Sequence, residues 1–300
     1  MSICGKQKKI LLTGGSGFIG QNILESFLAE KYLITVPTHS QLDLSNTNSV
    51  DNFFKDKSFD CVWHTAGKPG HRNSSDLSNL VYTNLRIFEN LERNKSHFKK
   101  FINFGSGAIY NTDFDITNAS EAQRFNKIGT KDHDFCKYVI AKQMEHLENF
   151  IDINIFGIFG KYEDWEIRFI SNAICKAIFD MPITLRQNRA FSYLYVEDLM
   201  PVLELLTEND LKYNSYNIVP SQKTTLLALA ELVKKISGKD LDIKVGKNGM
   251  GLDYTGDNSR LLTEFPDLKF TMLEKAVFEL YNYYEENREK IDSKKLLVDK

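Results

Sequence analysis

The sequence predicts an α/β protein built on a doubly wound parallel sheet, with a smaller α/β unit in its C-terminal half. In the first half, short apolar runs alternate with segments whose apolar residues recur at helical spacing. A glycine-rich turn joins the first apolar run to the first helical segment. Strands that alternate with helices in this way form parallel sheets with helices on both faces. After about residue 157 the alternation becomes irregular, which predicts a change of architecture.

Each predicted element has its own pattern. The helical segment after the glycines, for example, places Ile19, Ile23 and Phe27 on one face. The apolar runs between such segments are too short for helices and contain many β-branched and aromatic residues, which favours strands. The predicted strands are 9–13, 33–36, 59–64, 101–104, 151–156 and 191–196, and the predicted helices are 18–30, 80–91, 135–147, 165–179, 225–237 and 273–289.

Composition excludes several classes of function. The chain has 300 residues, of which 42% are hydrophobic and 26% charged, and a formal net charge of −2. A net charge this close to zero gives no sign of a basic surface that would bind nucleic acid or an anionic membrane. No apolar run reaches the length of about 18 residues that a membrane span needs. Neither the histidines nor the four cysteines follow a metal-binding spacing, so we expect no metal and a reducing, cytoplasmic location. The cysteines are Cys4, Cys61, Cys136 and Cys175.

The glycine-rich turn predicts a dinucleotide site. Residues 11–20 read LLTGGSGFIG, so a predicted strand enters a predicted helix through closely spaced glycines. Such a junction exposes backbone N–H groups at a helix N-terminus, where a diphosphate binds. The alternative is a turn without a ligand, but a position at the first strand–helix junction favours the dinucleotide. The expected cofactor contacts here are Gly14, Ser16, Gly17, Phe18 and Ile19.

The end of the second predicted strand bears on the choice of dinucleotide. Enzymes that use NAD usually have an acidic residue there, which holds the ribose 2′-hydroxyl. Here the strand is followed by Thr38, His39 and Ser40, three neutral donors that could receive a 2′-phosphate, although no arginine accompanies them. NADP(H) is therefore the favoured cofactor and NAD(H) the alternative. Asp43, followed by Leu44, is expected nearer the adenine end.

A tyrosine and a lysine supply the candidate chemistry. Tyr138 and Lys142 are four residues apart, and so share one face of a helix. A free tyrosine has a pKa near ~10, and a neighbouring cation makes it a better proton donor at neutral pH. Ser106 lies between two glycines after the strand predicted at 101–104, where its hydroxyl can hold a carbonyl oxygen. A surface pair on an amphipathic helix is the alternative reading of Tyr138 and Lys142.

Together the motifs TGGSGFIG, FGSGAIY and YVIAK resemble those of the extended short-chain dehydrogenase/reductase family that acts on nucleotide sugars. The segments HTAG at 64–67, VYTNLRIFENL, IFGIFG at 155–160 and YLYVEDL at 193–199 extend the resemblance over most of the chain. It implies a Rossmann-like domain at 1–156 that binds NADP(H) and a substrate domain at 157–300, with a segment near 191–200 returning to the first. It also implies Ser-Tyr-Lys catalysis and further cofactor contacts. These contacts are Thr65, Ala66, Gly67, Asn84, Tyr138, Lys142 and Phe156.

Departures from the family pattern narrow the reaction. Family dehydratases have an acidic pair just after the strand that bears the serine, whereas this chain has Gly107 and Ala108. Without a carboxylic acid to expel water, dehydration is disfavoured. The arginine that usually clamps the substrate pyrophosphate aligns with Phe191, so Arg186 or Arg189 is expected to take its place. The full set of expected substrate contacts is Lys68, in the segment 68–72, Ser106, Gly107, Arg168, Arg186 and Arg189.

The sequence-based expectation is therefore an NADPH-dependent reductase of the C4 keto group of a nucleotide-linked 4-keto-6-deoxysugar. The resemblance places such an enzyme in deoxysugar, surface-glycan or lipopolysaccharide biosynthesis and implies a homodimer formed through the helices near 80–91 and 135–147. An NAD-dependent nucleotide-sugar 4-epimerase is the first alternative. A non-catalytic NADP(H)-sensing module is the second. A nucleotide sugar is the expected partner, with no nucleic acid and no membrane.

Overall fold

The computed structural model describes residues 7–70, 73–74 and 76–297. Cys4, His71 and Arg72 lie outside the described residues. The described strands are Lys9–Thr13 (β1), Leu33–Thr35 (β2), Phe59–His64 (β3), Phe98–Phe104 (β4), Ile116–Ala119 (β5), Phe150–Ile155 (β6), Gly157–Phe159 (β7), Ile183–Asn188 (β8), Ala190–Phe191 (β9), Tyr193–Tyr195 (β10), Ser215–Ile218 (β11), Thr224–Thr225 (β12), Ile243–Met250 (β13) and Tyr254–Gly256 (β14). The α-helices are Phe18–Glu25 (α1), Phe27–Lys31 (α2), Thr47–Phe54 (α3), Leu80–Glu92 (α4), Asp132–Met144 (α5), Phe169–Ile178 (α6), Leu199–Glu208 (α7), Leu226–Ser237 (α8), Ser259–Glu264 (α9) and Leu273–Glu286 (α10).

A six-stranded parallel sheet forms the centre of the fold, in the order β11-β6-β4-β3-β1-β2. The strand order reverses beside β1, as the doubly wound prediction requires. Thr13 pairs with His64, and His64 pairs with Asn103, so these strands end at the same level. This register brings the loops that follow β1, β3 and β4 to one edge of the sheet.

Both faces of the central sheet are buried. Neighbouring residues of one strand belong to different apolar clusters: Leu12 and Trp63 contact one cluster, whereas Leu11 and Val62 contact the other. All four side chains are fully buried. Burial of each large apolar side chain stabilises the fold by about 1.5–3 kcal/mol. This burial strongly determines the register of the strands, and the register sets the position of the sheet edge.

The helix predicted at 18–30 is interrupted at Ser26. The backbone of Ser26 is extended, with φ −90° and ψ 171°, and its hydroxyl accepts a hydrogen bond from Leu28 N at 3.2 Å. Ser26 therefore ends α1 and caps α2, because a serine side chain can satisfy the backbone N–H groups of a new first turn. Apolar spacing alone predicts one helix here, since it continues through the break.

The C-terminal half contributes smaller sheets and one strand of the central sheet. The segment near 191–200 joins small sheets, in which β10 pairs with β7 and β9 pairs with β12 and β14. The strand that returns to the central sheet is instead β11, which pairs with β6. In the other direction, β5 of the first half pairs with β14. The domain boundary at 156/157 stays a prediction.

No helix within the described ranges combines the length and the apolarity needed to cross a bilayer.

A buried carboxyl group makes the free energy of unfolding depend on pH. Glu163 is buried, and its Oε2 accepts a hydrogen bond from Ser171 Oγ at 2.5 Å. Burial raises the pKa of Glu163 to about 8. The folded state therefore holds a proton that an unfolded glutamate, with a pKa of about 4.3, has released by neutral pH.

We predict that the free energy of unfolding loses this contribution as pH rises from about 4.5 to about 8. Glu163→Gln removes the effect, so the difference between wild type and variant changes by up to about 1.4 kcal/mol per pH unit in that window. Urea unfolding at a series of pH values measures it. The exposed Glu231→Gln on α8 is the control. Parallel pH profiles of wild type and Glu163→Gln would contradict the prediction.

Candidate cofactor and active site

The glycine loop between β1 and α1 leaves no room for side chains at Gly14, Gly15 and Gly20. Gly14 has a φ of +76°, and a Cβ atom on Gly20 would lie 2.3 Å from Gly14 O and 2.6 Å from Gly15 Cα. The first turn of α1 therefore packs directly on the loop. Gly17 precedes this turn, and no side-chain hydrogen bond caps it. The backbone N–H groups at the start of α1 can therefore bind an anion such as a diphosphate.

Neighbouring strand ends hold this loop in place. Thr65, just after β3, donates a hydrogen bond from Oγ1 to Thr13 O at 2.7 Å. A Cβ atom on Gly14 would lie 2.6 Å from Thr65 Oγ1 and 2.8 Å from Ala66 N. The predicted cofactor residues of β1, α1 and the turn after β3 are thus adjacent, and their close backbone packing fits a dinucleotide. Ser16, Phe18 and Ile19 belong to this same junction.

The turn after β2 is exposed and made of hydroxyl and imidazole groups. Thr38 Oγ1 and Ser40 Oγ lie 3.0 Å apart, and His39 lies with Nε2 3.8 Å from Asp43 Oδ1. Asp43 also accepts hydrogen bonds from the Ser45 hydroxyl and backbone, which lower its pKa. Its carboxylate is therefore engaged in its own turn. Leu44 packs against the apolar core instead of facing solvent.

Asn84 braces the loop that carries Lys68. Its side chain accepts a hydrogen bond from Lys68 N at 2.8 Å and donates one to Lys68 O at 3.0 Å. A Cβ atom on Gly67 would lie 2.9 Å from Asn84 Oδ1. The Lys68 ammonium itself contacts Asp76 Oδ2 at 2.6 Å and Ser78 O at 2.5 Å. Both predicted site residues therefore shape the loop beside the sheet edge.

Ser106 lies immediately beyond β4, at the same edge. Its Oγ lies 3.4 Å from Tyr254 Oη and accepts a hydrogen bond from Ala108 N at 3.1 Å. Gly107 packs on the ring of Phe156, which is itself buried and lies 5.1 Å from the Tyr254 ring. Phe156, predicted as a cofactor contact, is thus part of the core behind the serine.

A buried ion pair packs against the loop that carries Ser106. Asp152 of β6 accepts hydrogen bonds from Arg124 and from Asn103 Nδ2, the latter at 2.7 Å. All three side chains are buried. A Cβ atom on Gly105 would lie 2.4 Å from Asp152 Oδ1, so glycine is required beside this carboxylate.

Tyr138 and Lys142 lie on the face of α5 that packs against Phe125. The Tyr138 ring meets Phe125 edge-on at 5.5 Å, and the Lys142 ammonium lies 4.4 Å from the centre of that ring. Lys142 Nζ also pairs with Glu145 Oε2 at 2.7 Å. Within the described chain, the hydrogen bonds of the Ser106 hydroxyl go to Tyr254 and Ala108, and none joins it to Tyr138.

A second pair on α5 lies at the sheet edge. Lys137 Nζ donates a hydrogen bond to Phe104 O, at the end of β4, over 3.3 Å. Burial and the Lys137 charge lower the pKa of His64 to about 3 and that of His133 to about 4. At neutral pH both imidazoles are therefore uncharged, and Lys137 is the cation whose charge acts on both.

Two of the three predicted arginines lie near Tyr254. Burial raises the pKa of Tyr254 above its ordinary range, and the charges of Arg189 and Arg168 oppose that shift. The guanidinium of Arg189 stacks on the Phe191 ring at 4.7 Å, and its buried Nε has no hydrogen-bond partner among the described residues. This unpaired donor fits a substrate oxygen. Arg186 is exposed on β8 and lies outside this group.

Three residues of the site were not found from the sequence: Tyr254, His133 and Lys137. No motif marks Tyr254, which is 148 positions from Ser106 and reaches it only through the fold. His133 and Lys137 have the same four-residue spacing as Tyr138 and Lys142, so a search for any titratable pair at that spacing would have found them. Across the part of the chain that the structure describes, no cluster of three or more His, Cys, Asp or Glu side chains is arranged to hold a metal.

A parallel sheet with a glycine loop, a helix N-terminus and a serine at one edge defines a dinucleotide-binding α/β protein with a reaction site beside the cofactor. Residues 10–219 match the model of the NAD dependent epimerase/dehydratase family, and the chain belongs to that family. The predicted family, the Rossmann-like fold class and the expectation of an NAD(P)-dependent enzyme are confirmed.

The chain is similar over nearly its whole length to enzymes of GDP-sugar metabolism. It is 22% identical to GDP-L-colitose synthase of Yersinia pseudotuberculosis, covering 92% of this chain and 97% of that protein. It is 24% identical to GDP-L-fucose synthase of Azorhizobium caulinodans, covering 93% and 97%. Its structure resembles the NADP-bound GDP-mannoheptose C4 reductase of Campylobacter jejuni, with a TM-score of 0.78, 21% identity and coverage of 94% and 99%.

We predict that Gly20→Ala destabilises the protein and weakens dinucleotide binding, because the new methyl group has no space against the glycine loop. Overpacking of this kind typically costs about 1–3 kcal/mol. Thermal unfolding and calorimetric titration with NADP⁺ measure the two effects. Gly251→Ala is the matched control, since its Cβ would lie 3.2 Å from the movable Gln187 side chain. Equal stability of the two variants would contradict the packing argument.

Proposed function

We propose that this protein is a reductase that uses NADPH to reduce the C4 keto group of a GDP-linked 4-keto-6-deoxysugar. The observation that carries the proposal is the pair of hydroxyls of Ser106 and Tyr254, 3.4 Å apart at the sheet edge that also holds the glycine loop. A cofactor on that loop and a carbonyl on those hydroxyls would be adjacent. The choice of a GDP sugar is supported by the names of the similar enzymes.

The two hydroxyls suit a carbonyl oxygen. Bound NADPH supplies a hydride to the carbonyl carbon, and the oxygen then gains negative charge and needs a proton. Burial raises the pKa of the Tyr254 phenol further above its ordinary value, so this phenol keeps its proton at neutral pH and acts as a hydrogen-bond donor. Ser106 Oγ is a second donor at the same place. Donors that are already in position where charge develops stabilise the transition state.

The residues after Ser106 favour reduction over dehydration. Gly107 and Ala108 are both buried and carry no acid, and Gly107 is held against Phe156. Elimination of water from a sugar needs an acid and a base beside the substrate, whereas reduction of a ketone needs a hydride and one proton. The 4-epimerase alternative uses the same carbonyl chemistry but returns the hydride to the sugar.

The cofactor is proposed to be NADP(H). The turn after β2 presents the hydroxyls of Thr38 and Ser40 and the exposed His39 imidazole, and the nearby Asp43 carboxylate accepts hydrogen bonds from Ser45. Neutral groups can donate hydrogen bonds to a 2′-phosphate, whereas an acidic residue at this place would repel it. The similar mannoheptose reductase was solved with NADP bound, which supports this choice.

The catalytic pair Tyr138 and Lys142 stays a prediction. The homodimer also stays a prediction. The two helices expected at its interface, α4 and α5, carry exposed apolar side chains such as Tyr82 and Phe135. Light scattering measures the oligomeric state. A cytoplasmic role in deoxysugar or surface-glycan synthesis agrees with the buried free thiols of Cys61, Cys136 and Cys175. A reducing compartment keeps thiols free.

We predict that the protein oxidises one NADPH for each GDP-linked 4-keto-6-deoxysugar it reduces and is purified largely free of cofactor. Absorbance of NADPH and chromatography of the nucleotide sugars measure the stoichiometry. Tightly held NAD, with sugar interconversion and no net oxidation, would instead establish the epimerase. Binding of NADPH without turnover of any keto sugar in a panel of GDP-, UDP- and dTDP-linked substrates would favour the sensing module.

We predict that Ser40→Asp weakens NADPH binding by at least about tenfold, which corresponds to ~1.4 kcal/mol, and leaves NADH binding nearly unchanged. The new carboxylate would repel the 2′-phosphate, and salt would reduce the effect because exposed charges are screened. Calorimetric titration with both cofactors at low and high salt measures it. A matched control is the exposed Ser58→Asp, at the amino end of β3 and so at the opposite edge of the sheet. Equal loss for NADPH and NADH would show that the turn does not recognise the phosphate.

We predict that Ser106→Ala lowers kcat by about 10²–10³-fold, since it removes one donor to the developing oxyanion. Tyr254→Phe acts in the same direction, because its hydroxyl is the partner of Ser106 Oγ. NADPH affinity should change little in either variant. The exposed Tyr213→Phe is the control. If both variants keep wild-type kcat under conditions where chemistry limits the rate, the oxyanion site lies elsewhere.

A further inference from the structure

Helix α5 carries two pairs of residues at a spacing of four, and they face different ways. His133 and Lys137 form one pair, and Tyr138 and Lys142 the other. Each pair shares a helical face, but consecutive residues such as Lys137 and Tyr138 are separated by about 100° around the axis. The position of α5 on the sheet therefore decides which pair can reach the reaction site.

The contacts of Lys137 place it at the carboxyl edge of the sheet. Its ammonium lies 3.3 Å from Phe104 O, two residues before Ser106. Its charge also acts on His64, the last residue of β3. An ammonium has three N–H donors, so two remain for a ligand after the contact with Phe104.

His133 lies on the same face, one turn closer to the start of α5. A Cβ atom on Gly70 would lie 3.3 Å from His133 Nδ1, so the imidazole borders the loop that follows β3. Burial, followed by the charge of Lys137, lowers the pKa of His133 to about 4. The His133–Lys137 face thus lies between the ends of β3 and β4.

Lys142 lies toward the opposite edge. It is about 7.5 Å farther along the helix axis than Lys137, at a rise of about 1.5 Å per residue. Its partner Glu145 accepts, through its backbone O, a hydrogen bond from Asn214, the residue just before β11. Since α5 runs from the carboxyl edge to the amino edge, Lys142 is on the side where the parallel strands begin.

We infer that α5 reaches the reaction site through the face of His133 and Lys137, and that Lys137 is the catalytic cation. This inference rests on the proposed function. Lys137 donates hydrogen bonds to oxygen atoms of the bound dinucleotide and to the substrate carbonyl oxygen. Bound NADPH would supply the hydride for the new C–H bond. The Lys137 ammonium gives its proton to the carbonyl oxygen and is then reprotonated by H⁺ from the solvent, so one proton is consumed for each ketone reduced.

The first test uses the unmodified sequence. Reductive methylation of lysines is measured by mass spectrometry with and without NADP⁺ at about ten times its Kd, where roughly one tenth of the sites stay open. NADP⁺ should reduce methylation of Lys137 several-fold. Lys99, at the amino end of β4, is the control and should react equally in both samples. Protection of Lys142 without protection of Lys137 would overturn the inference.

The second test compares Lys137→Met with Lys142→Met. The inference expects the larger loss at Lys137, with kcat lower by about 10²-fold or more and weaker binding of NADP⁺. The assignment of Tyr138 and Lys142 expects the opposite order. Lys99→Met is the control for the loss of one lysine. If Lys137→Met does not fold, the methylation experiment on the wild type decides.

The outcomes separate this inference from the proposed function. Binding of NADP⁺ with neither Lys137 protection nor a Lys137→Met defect rejects the inference, while reduction of a keto sugar by the wild type would still stand. Absence of dinucleotide binding to the wild type rejects the proposed function and the inference with it. Protection of Lys137 without turnover of any keto sugar supports the cofactor contact and rejects the catalytic role.

Discussion

The parallel register of β1, β3 and β4 determines where the glycine loop, Thr65 and Ser106 lie. Because Thr13 pairs with His64 and His64 with Asn103, the three strands end together. The glycine loop, the turn that carries Thr65 and the loop that carries Ser106 therefore begin at the same edge of the sheet. A shift of one residue in any of these pairings would exchange the buried faces of a strand, and the apolar clusters on both sides of the sheet oppose it.

Buried polar contacts then fix the loops on this edge. Thr13 Oγ1 and His64 Nδ1 lie 2.8 Å apart, and Thr65 donates to Thr13 O, so β1 and β3 are joined at their ends. Asp152 and its partners Asn103 and Arg124 join β6 to the end of β4, next to the loop that carries Ser106. Removal of one member of a buried ion pair typically costs about 3–5 kcal/mol, since it leaves an uncompensated charge. All these contacts join protein groups to one another, so the loops of the site are held in place without a bound ligand.

Much of the fold followed from local pattern, and much of the site did not. The strands at 9–13 and 59–64 have the predicted bounds, because buried parallel strands are continuous apolar runs ended by glycine or polar turns. The break at Ser26 was missed, since a capping serine does not interrupt apolar spacing. Tyr254 gave no signal, because its contact with Ser106 depends on the pairing of β14 with β5 and β9.

Helix α5 shows the same limit most clearly. Spacing identifies which residues share a face, but the direction of that face depends on tertiary packing. The sequence pattern drew attention to Tyr138 and Lys142, whereas the contacts of Phe104 and Gly70 involve Lys137 and His133. Two pairs at equal spacing cannot be distinguished without the sheet, since both satisfy the same helical periodicity.

In the proposed reaction, a hydride passes from NADPH to C4 of a nucleotide-linked keto sugar at this edge of the sheet. The most direct measurement uses NADPH deuterated at the transferable position of the nicotinamide, with a GDP-linked 4-keto-6-deoxyhexose as substrate, and locates the label in the product by NMR. We expect one deuterium at C4 of the sugar for each NADP⁺ formed. A product without deuterium at C4, or a C4 epimer formed without oxidation of NADPH, would contradict it.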